Sequence, residues 1–178
     1  MMQIFFAEDM GKQGSFYVGT IGAVFPNPQY SMLIGQVHPQ SIGWFAEFKG
    51  GIGIPKDVEY DSTSTWVEEA LGTPIIKEKD IFSTYSAGIT YLVNTKTIIY
   101  LGIGMTKSIN HNQYNDPLGI LGDSGELWVE DDVEHKTITS YTAGIFRRMQ
   151  YNDKLFLIGS LSILSSPFNI GISFGTEW

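Results

Sequence analysis

No cysteine occurs in the 178 residues, which removes disulfides and thiolate metal sites. Charge is also scarce. Asp, Glu, Lys and Arg make up 17% of the chain, against roughly 25% in soluble domains. Basic residues are the scarcer sign and the net charge is −8, so the basic surface that a nucleic-acid partner requires is missing. No apolar run reaches the about 18 residues of a spanning helix. Nor is a signal peptide evident, because Met1 to Phe6 is too short for an apolar signal core and Glu8 and Asp9 follow at once. If exported, the protein is expected in its mature form.

What remains is rich in glycine and aromatics and reads almost throughout as strand. In 82–93, Tyr85, Ala87, Ile89, Tyr91 and Val93 alternate with Thr84, Ser86, Gly88 and Thr90. At the end of the chain, Phe168, Ile170, Ile172, Phe174 and Trp178 alternate with Asn169, Gly171, Ser173, Gly175 and Glu177. Successive side chains of a strand leave opposite faces, so each segment belongs to a sheet with two unlike sides. Six further strands are expected at 14–25, 30–37, 41–53, 97–107, 136–149 and 154–164. In 41–53, Ile42, Trp44, Ala46 and Phe48 share one face and Gly43, Phe45, Glu47 and Lys49 the other. In 97–107, Ile99, Leu101, Ile103 and Met105 oppose Tyr100, Gly102, Gly104 and Thr106; in 136–149, Tyr141, Ala143 and Ile145 oppose Ser140, Thr142 and Gly144. A short repeat, Tyr85–Ile89 against Tyr141–Ile145, reads as one hairpin design used twice.

The connections alternate in kind. Tight polar turns are expected at 38–40, 94–96 and 151–153. Segments 54–81 and 108–135 read as long, acidic, irregular loops, with seven acids in 54–81 and seven in 109–135. Shorter links at 26–29 and 165–167 complete the set. Short turns at one end and long loops at the other predict an all-β fold: an eight-stranded antiparallel up-and-down transmembrane β-barrel. It would form a single domain over 13–178, after an N-terminal segment 1–12.

A soluble lipocalin-like β-barrel carrier would also alternate, but with charges outside and an apolar pocket inside. Here one face is Tyr, Trp, Phe, Ile and Leu, and the other is Gly, Ser, Thr and Asn. The greasy face suits hydrocarbon, with Tyr and Trp near the two interfaces. Trp44, Tyr85, Ile89, Tyr91, Leu101, Ile103, Ile145 and Ile170 are therefore expected to face lipid, around a small polar lumen. Glu47 and Lys49, both inward, are candidates for a lumen charge network with each other or with Arg148.

On these patterns, over roughly 13–178, the sequence resembles the small eight-stranded outer-membrane β-barrel proteins of Gram-negative bacteria, of the OmpA- and OmpX-like type. The most specific part is Gly171–Trp178, which looks like that family's terminal insertion signal. By that resemblance Ile172, Phe174 and Trp178 are read by the barrel-assembly machinery; Thr176 departs from a strictly apolar series. The resemblance implies location in the bacterial outer membrane, contact with membrane lipid and lipopolysaccharide, and a narrow or closed, porin-like lumen. It brings no single activity, since members serve as adhesins, anchors, narrow pores or, in a few cases, lipid-modifying enzymes.

Motifs for chemistry are weak. Gly122-Asp123-Ser124-Gly125 echoes a protease nucleophile but lacks an upstream His segment and reads as a turn. Glu130–His135 carries the oxygens a hard cation takes, without the spacing of an EF-hand, and reads as a solvated acidic run. His111 and His135 stand in or beside the same long segment as Ser108 and Ser124, the basis for a membrane-embedded lipid-modifying hydrolase. Gly102–Ser108 lacks the glycine that precedes Lys in a phosphate loop, and its glycines suit close packing in a narrow barrel. No cofactor is implied. The leading expectation is a non-enzymatic surface, adhesion or structural barrel whose acidic loops meet an extracellular partner.

Overall fold

The computed structural model describes residues 15–53, 58–62, 64–121, 124–150 and 156–177. Among the described residues there are nine strands: β1 (Phe16–Phe25), β2 (Gln29–His38), β3 (Ser41–Gly51), β4 (Val58–Ser62), β5 (Lys77–Asn94), β6 (Thr97–Asp116), β7 (Gly125–Gln150), β8 (Phe156–Ser165) and β9 (Phe168–Glu177). One helix, α1 (Ser64–Leu71), follows β4. Eight strands pair antiparallel with their chain neighbours, β3 passing directly to β5, and the circle closes through β1–β9 and β7–β8. The expected eight-stranded barrel is therefore observed. Of the described strands, β4 alone lies outside it, parallel to β7.

Local chemistry accounts for the tight end of the barrel. In the β5–β6 turn, Asn94 Oδ1 accepts from the Lys96 N–H at 3.0 Å, a side chain closing its own turn. The other end departs from the sequence-based expectation. Segments 54–81 and 108–135 are not irregular loops: β5 begins at Lys77, β6 runs to Asp116 and β7 starts at Gly125. These three strands carry on past the rest of the wall as an arm. The β3–β5 ladder stops at Lys49↔Thr84 and the β7–β8 ladder at Thr142↔Leu164, whereas β5–β6 continues to Lys77↔Gln113 and β6–β7 to Asp116↔Gly125.

The reason lies in the medium. Within the wall one face meets hydrocarbon and the other the lumen, so polarity alternates; beyond the wall both faces carry polar residues and the period of two disappears. What holds the arm is the backbone ladder and a small apolar cluster of its own. Val67 of α1 packs with Tyr114, Leu121, Leu127 and Val129, and Ala70, Leu71 and Ile75 flank them. One irregularity interrupts the ladder, which passes from Ser108↔Lys136 to Asn110↔Asp131, so that 132–135 of β7 form a bulge.

The wall faces outward as the alternation requires. Tyr85 is 63% exposed, Ile103 57% and Ile172 54%, and Trp44, Ile89, Tyr91, Leu101, Ile145 and Ile170 are exposed with them. A continuous apolar shell of this kind is untenable in water and natural in hydrocarbon. Aromatic contacts run across it: Phe48 packs with Tyr30 and with Tyr85 at ring-centroid distances of 5.6 and 5.0 Å.

Candidate functional site: a filled lumen and an external arm

The lumen is less polar than the small polar lining expected from the sequence. Toward the end that holds the short turns, nine buried residues form a plug: Val18, Leu33, Val37, Phe45, Leu92, Ile98, Tyr100, Phe146 and Ile158. Phe45 meets Tyr100 edge-on at 5.0 Å, and Tyr100 stacks on Phe146 at 4.6 Å. Glycines on the facing strands make room for these rings. A Cβ on Gly102 would lie 2.5 Å from the Phe45 ring, and one on Gly144 2.4 Å from the Tyr100 ring. The alternation did show Phe45 and Tyr100 on the inward faces. What it hid is that rings from three strands converge at one level.

Charged groups lie on both sides of the plug. At the short-turn end, Arg148 Nη2 meets Glu177 Oε1 at 2.5 Å, and Arg148 Nη1 donates to the Thr95 carbonyl at 2.7 Å. On the arm side, buried Lys49 and Glu47 form an ion pair. Ser86 and Thr142 also donate to Glu47 Oε2, at 3.2 and 3.3 Å. Thr142 stands on β7, so this last bond spans the lumen from β3. Arg148 thus pairs with Glu177, a residue that the sequence reading did not include among the lumen charges. Of the terminal residues, Ile172 and Phe174 are exposed on the outer wall. Trp178 lies outside the described residues, as do 1–12.

The arm has one well-built polar feature. Burial would raise the Asp116 carboxyl, but backbone hydrogen bonds outweigh it and hold the group below its ordinary range. The Leu121 N–H donates to Oδ2 at 2.7 Å and the Ile120 N–H to Oδ1 at 2.9 Å. Asp116 thereby folds the tip of the arm around itself and leaves Leu118 and Ile120 exposed. Tethers at the base of the tip include Gln113 Nε2 to Glu126 Oε2 at 2.6 Å and Thr73 Oγ1 to the Asn115 carbonyl at 3.2 Å.

The catalytic candidates are not assembled. Strand alternation sends Ser108 and His111 to opposite faces of β6, and Gly102–Ser108 is continuous strand rather than a phosphate-binding loop. Ser124 precedes β7, while residues 122 and 123 and the side chain of His135 fall outside the described residues. A Ser–His hydrogen bond does occur, between Ser15 and His38, exposed at the end of the barrel opposite the arm. Among the described residues, no three His, Asp or Glu side chains gather as a metal centre.

A closed eight-stranded antiparallel barrel with an apolar outer wall and a filled lumen is the architecture of a small membrane-spanning β-barrel. No family model matches the sequence, and no curated protein matches it. Solved structures do. The chain is similar to Ail, the attachment invasion locus protein of Yersinia pestis, in complex with the heparin analogue sucrose octasulfate: 13% identity and a TM-score of 0.53, over 93% of this chain and 100% of that one. A second crystal structure of Ail gives 12% identity and 0.51, over 92% and 97%. The N-terminal β-barrel domain of Pseudomonas aeruginosa OprF gives 10% and 0.48, over 93% and 98%. At these identities the likeness is one of fold.

Proposed function

We propose that this chain resides in the outer membrane of a Gram-negative bacterium and displays the β5–β6–β7 arm as a non-enzymatic surface for an extracellular partner. The observation that carries the reading is the arm itself. A barrel serving only to span or to conduct does not need three strands prolonged beyond its wall and buttressed by a helix with its own apolar cluster. Past the last β7–β8 pair, residues 136–139 of β7 are exposed and have no strand neighbour on that side among the described residues. A free edge of this kind offers backbone N–H and C=O groups to an extended segment of a partner. The acidic sequence of the arm disfavours a polysulfated ligand of the kind bound in the Ail crystal.

Contact with the surrounding leaflet belongs to the same reading. An open hollow in the outer wall, lined by Tyr85, Ala87, Ile103 and Met105, ends at Lys107, which suits a lipid or lipopolysaccharide with acyl chains below and phosphate above. The exposure of Ile172 and Phe174 on the outer wall supports reading them as part of a terminal insertion signal for the barrel-assembly machinery. A soluble carrier is disfavoured by the apolar exterior and the filled interior alike.

Single-cysteine variants test the arrangement in a chain that otherwise has none. In intact cells, Leu118→Cys at the arm tip should react with a membrane-impermeant maleimide, whereas Gln40→Cys in the β2–β3 turn should react only after lysis. Labelling of Gln40→Cys alone on intact cells would invert the topology and end the proposal.

A further inference from the structure

We propose that the base of the arm binds a hard divalent cation, with the Asp131 carboxylate and the side-chain oxygens of Asn110 and Asn112 as ligands. The ladder sets Asp80, Asn110 and Asp131 in one cross-strand row over β5, β6 and β7. Asn112 stands two residues further along β6 on the same face. Asn110, Asn112 and Asp131 are 6%, 4% and 2% exposed, so water reaches none of them freely.

Two buried oxygens point to a missing donor. Asn110 Oδ1 and Asn112 Oδ1 have no hydrogen-bond partner. Asn110 donates its Nδ2 to Asp80 Oδ1 at 3.3 Å on the β5 side, and Asp131 stands in register with it on the β7 side. An amide oxygen only accepts, and burial removes the water that would otherwise supply its donor. The register partners of the two asparagines are Glu78, Asp80, Val129 and Asp131, none of them cationic. Val129, Tyr114 and Leu127 continue the same face as an apolar cluster, lowering the local dielectric and strengthening attraction for a positive ion. Oxygen ligands of this kind select Ca²⁺ or Mg²⁺ over softer metals. From the sequence the run 130–135 carries oxygens for a hard cation but reads as a solvated acidic stretch. The site uses Asp131 of that run and two asparagines that an acid count overlooks. Bound there, the ion would tie β6 to β7 beside the bulge at 132–135 and set the base from which the arm projects.

One carboxylate among three protein ligands predicts affinity in the range of extracellular modules, a Kd of about 10⁻⁴–10⁻³ M. The test uses the refolded barrel in detergent micelles, stripped with a chelator and titrated calorimetrically with CaCl2 and, separately, MgCl2. Tb³⁺ luminescence sensitised by tyrosine provides a second readout through nearby Tyr114. One saturable site is expected, weakened at least tenfold by Asp131→Asn and severalfold by Asn112→Ala, and unchanged by Glu69→Gln on the exposed face of α1. Heat-modifiable gel migration establishes that each variant is folded, and Asn112→Ala decides the matter if Asp131→Asn is not. Wild-type protein without saturable binding, or folded ligand variants with wild-type affinity, would overturn the proposal and assign these oxygens to ordered water.

Discussion

Lys49 and Glu47 show how much a single lumen residue can carry. Both side chains are almost completely removed from solvent, and each neutralises the other. Removing one partner of such a pair leaves an uncompensated charge, whereas removing both restores a neutral interior. Lys49→Met is therefore expected to destabilise the barrel by about 3–5 kcal/mol. Adding Glu47→Gln in the same chain should recover most of that loss, because the amide retains an oxygen for Ser86 and Thr142. Urea unfolding in lipid vesicles checks the cycle. If the double variant proves as unstable as the single, an uncompensated charge is not the source of the loss. The inward placement of both residues was legible from Gly43, Phe45, Glu47 and Lys49 alternating with Ile42, Trp44, Ala46 and Phe48. The Glu177 partner of Arg148 was not, since closure of β9 onto β1 and β8 brings together positions far apart in the chain.

Individual strands were legible in proportion to the contrast between their two surroundings. Those with unlike faces declared themselves by alternation, and their large apolar side chains lie exposed on the outside of the barrel. The distal halves of β5, β6 and β7 did not, because Ser108–Asp116 is polar on both faces and its order comes from partners on other strands. Helix α1 was missed for a related reason: eight residues present too short a period to register, and its place depends on the cluster around Val67. The tip of the arm depends on one carboxylate in the same way. The folded value for Asp116 is depressed, so the stabilisation it supplies is complete above the unfolded carboxyl pKa, about 3.9, and is lost as pH falls through the folded value. Hydrogen exchange at the amides of 118–121, corrected for the intrinsic pH dependence, should show full protection at neutral pH and progressive opening below that point. Asp116→Ala should open the same amides at pH 7. Protection that is indifferent to both changes would assign the tip's order to Leu121 in the apolar cluster instead.

For the whole molecule, the two sides of the wall divide the work. The outer side fixes the barrel in hydrocarbon and the inner side closes it. An eight-stranded barrel encloses little more than its own side chains. Here the plug around Phe45, Tyr100 and Phe146 fills one level, while the Glu47–Thr142 hydrogen bond crosses another. An ion moving along the axis would have to part stacked rings, so the ion pairs on either side do not connect into a path. The intact barrel is accordingly expected to show almost no steady conductance in planar bilayers. Deleting the rings should change this more than deleting the charges. Phe45→Ala with Tyr100→Ala removes the contact that Gly88, Gly102 and Gly144 are spaced to admit, leaving a gap between two polar levels. Discrete openings in that double variant, and none in Lys49→Met, would locate the seal in the plug. Large steady currents through the wild type would mean that the plug yields in a membrane and that the barrel is a pore.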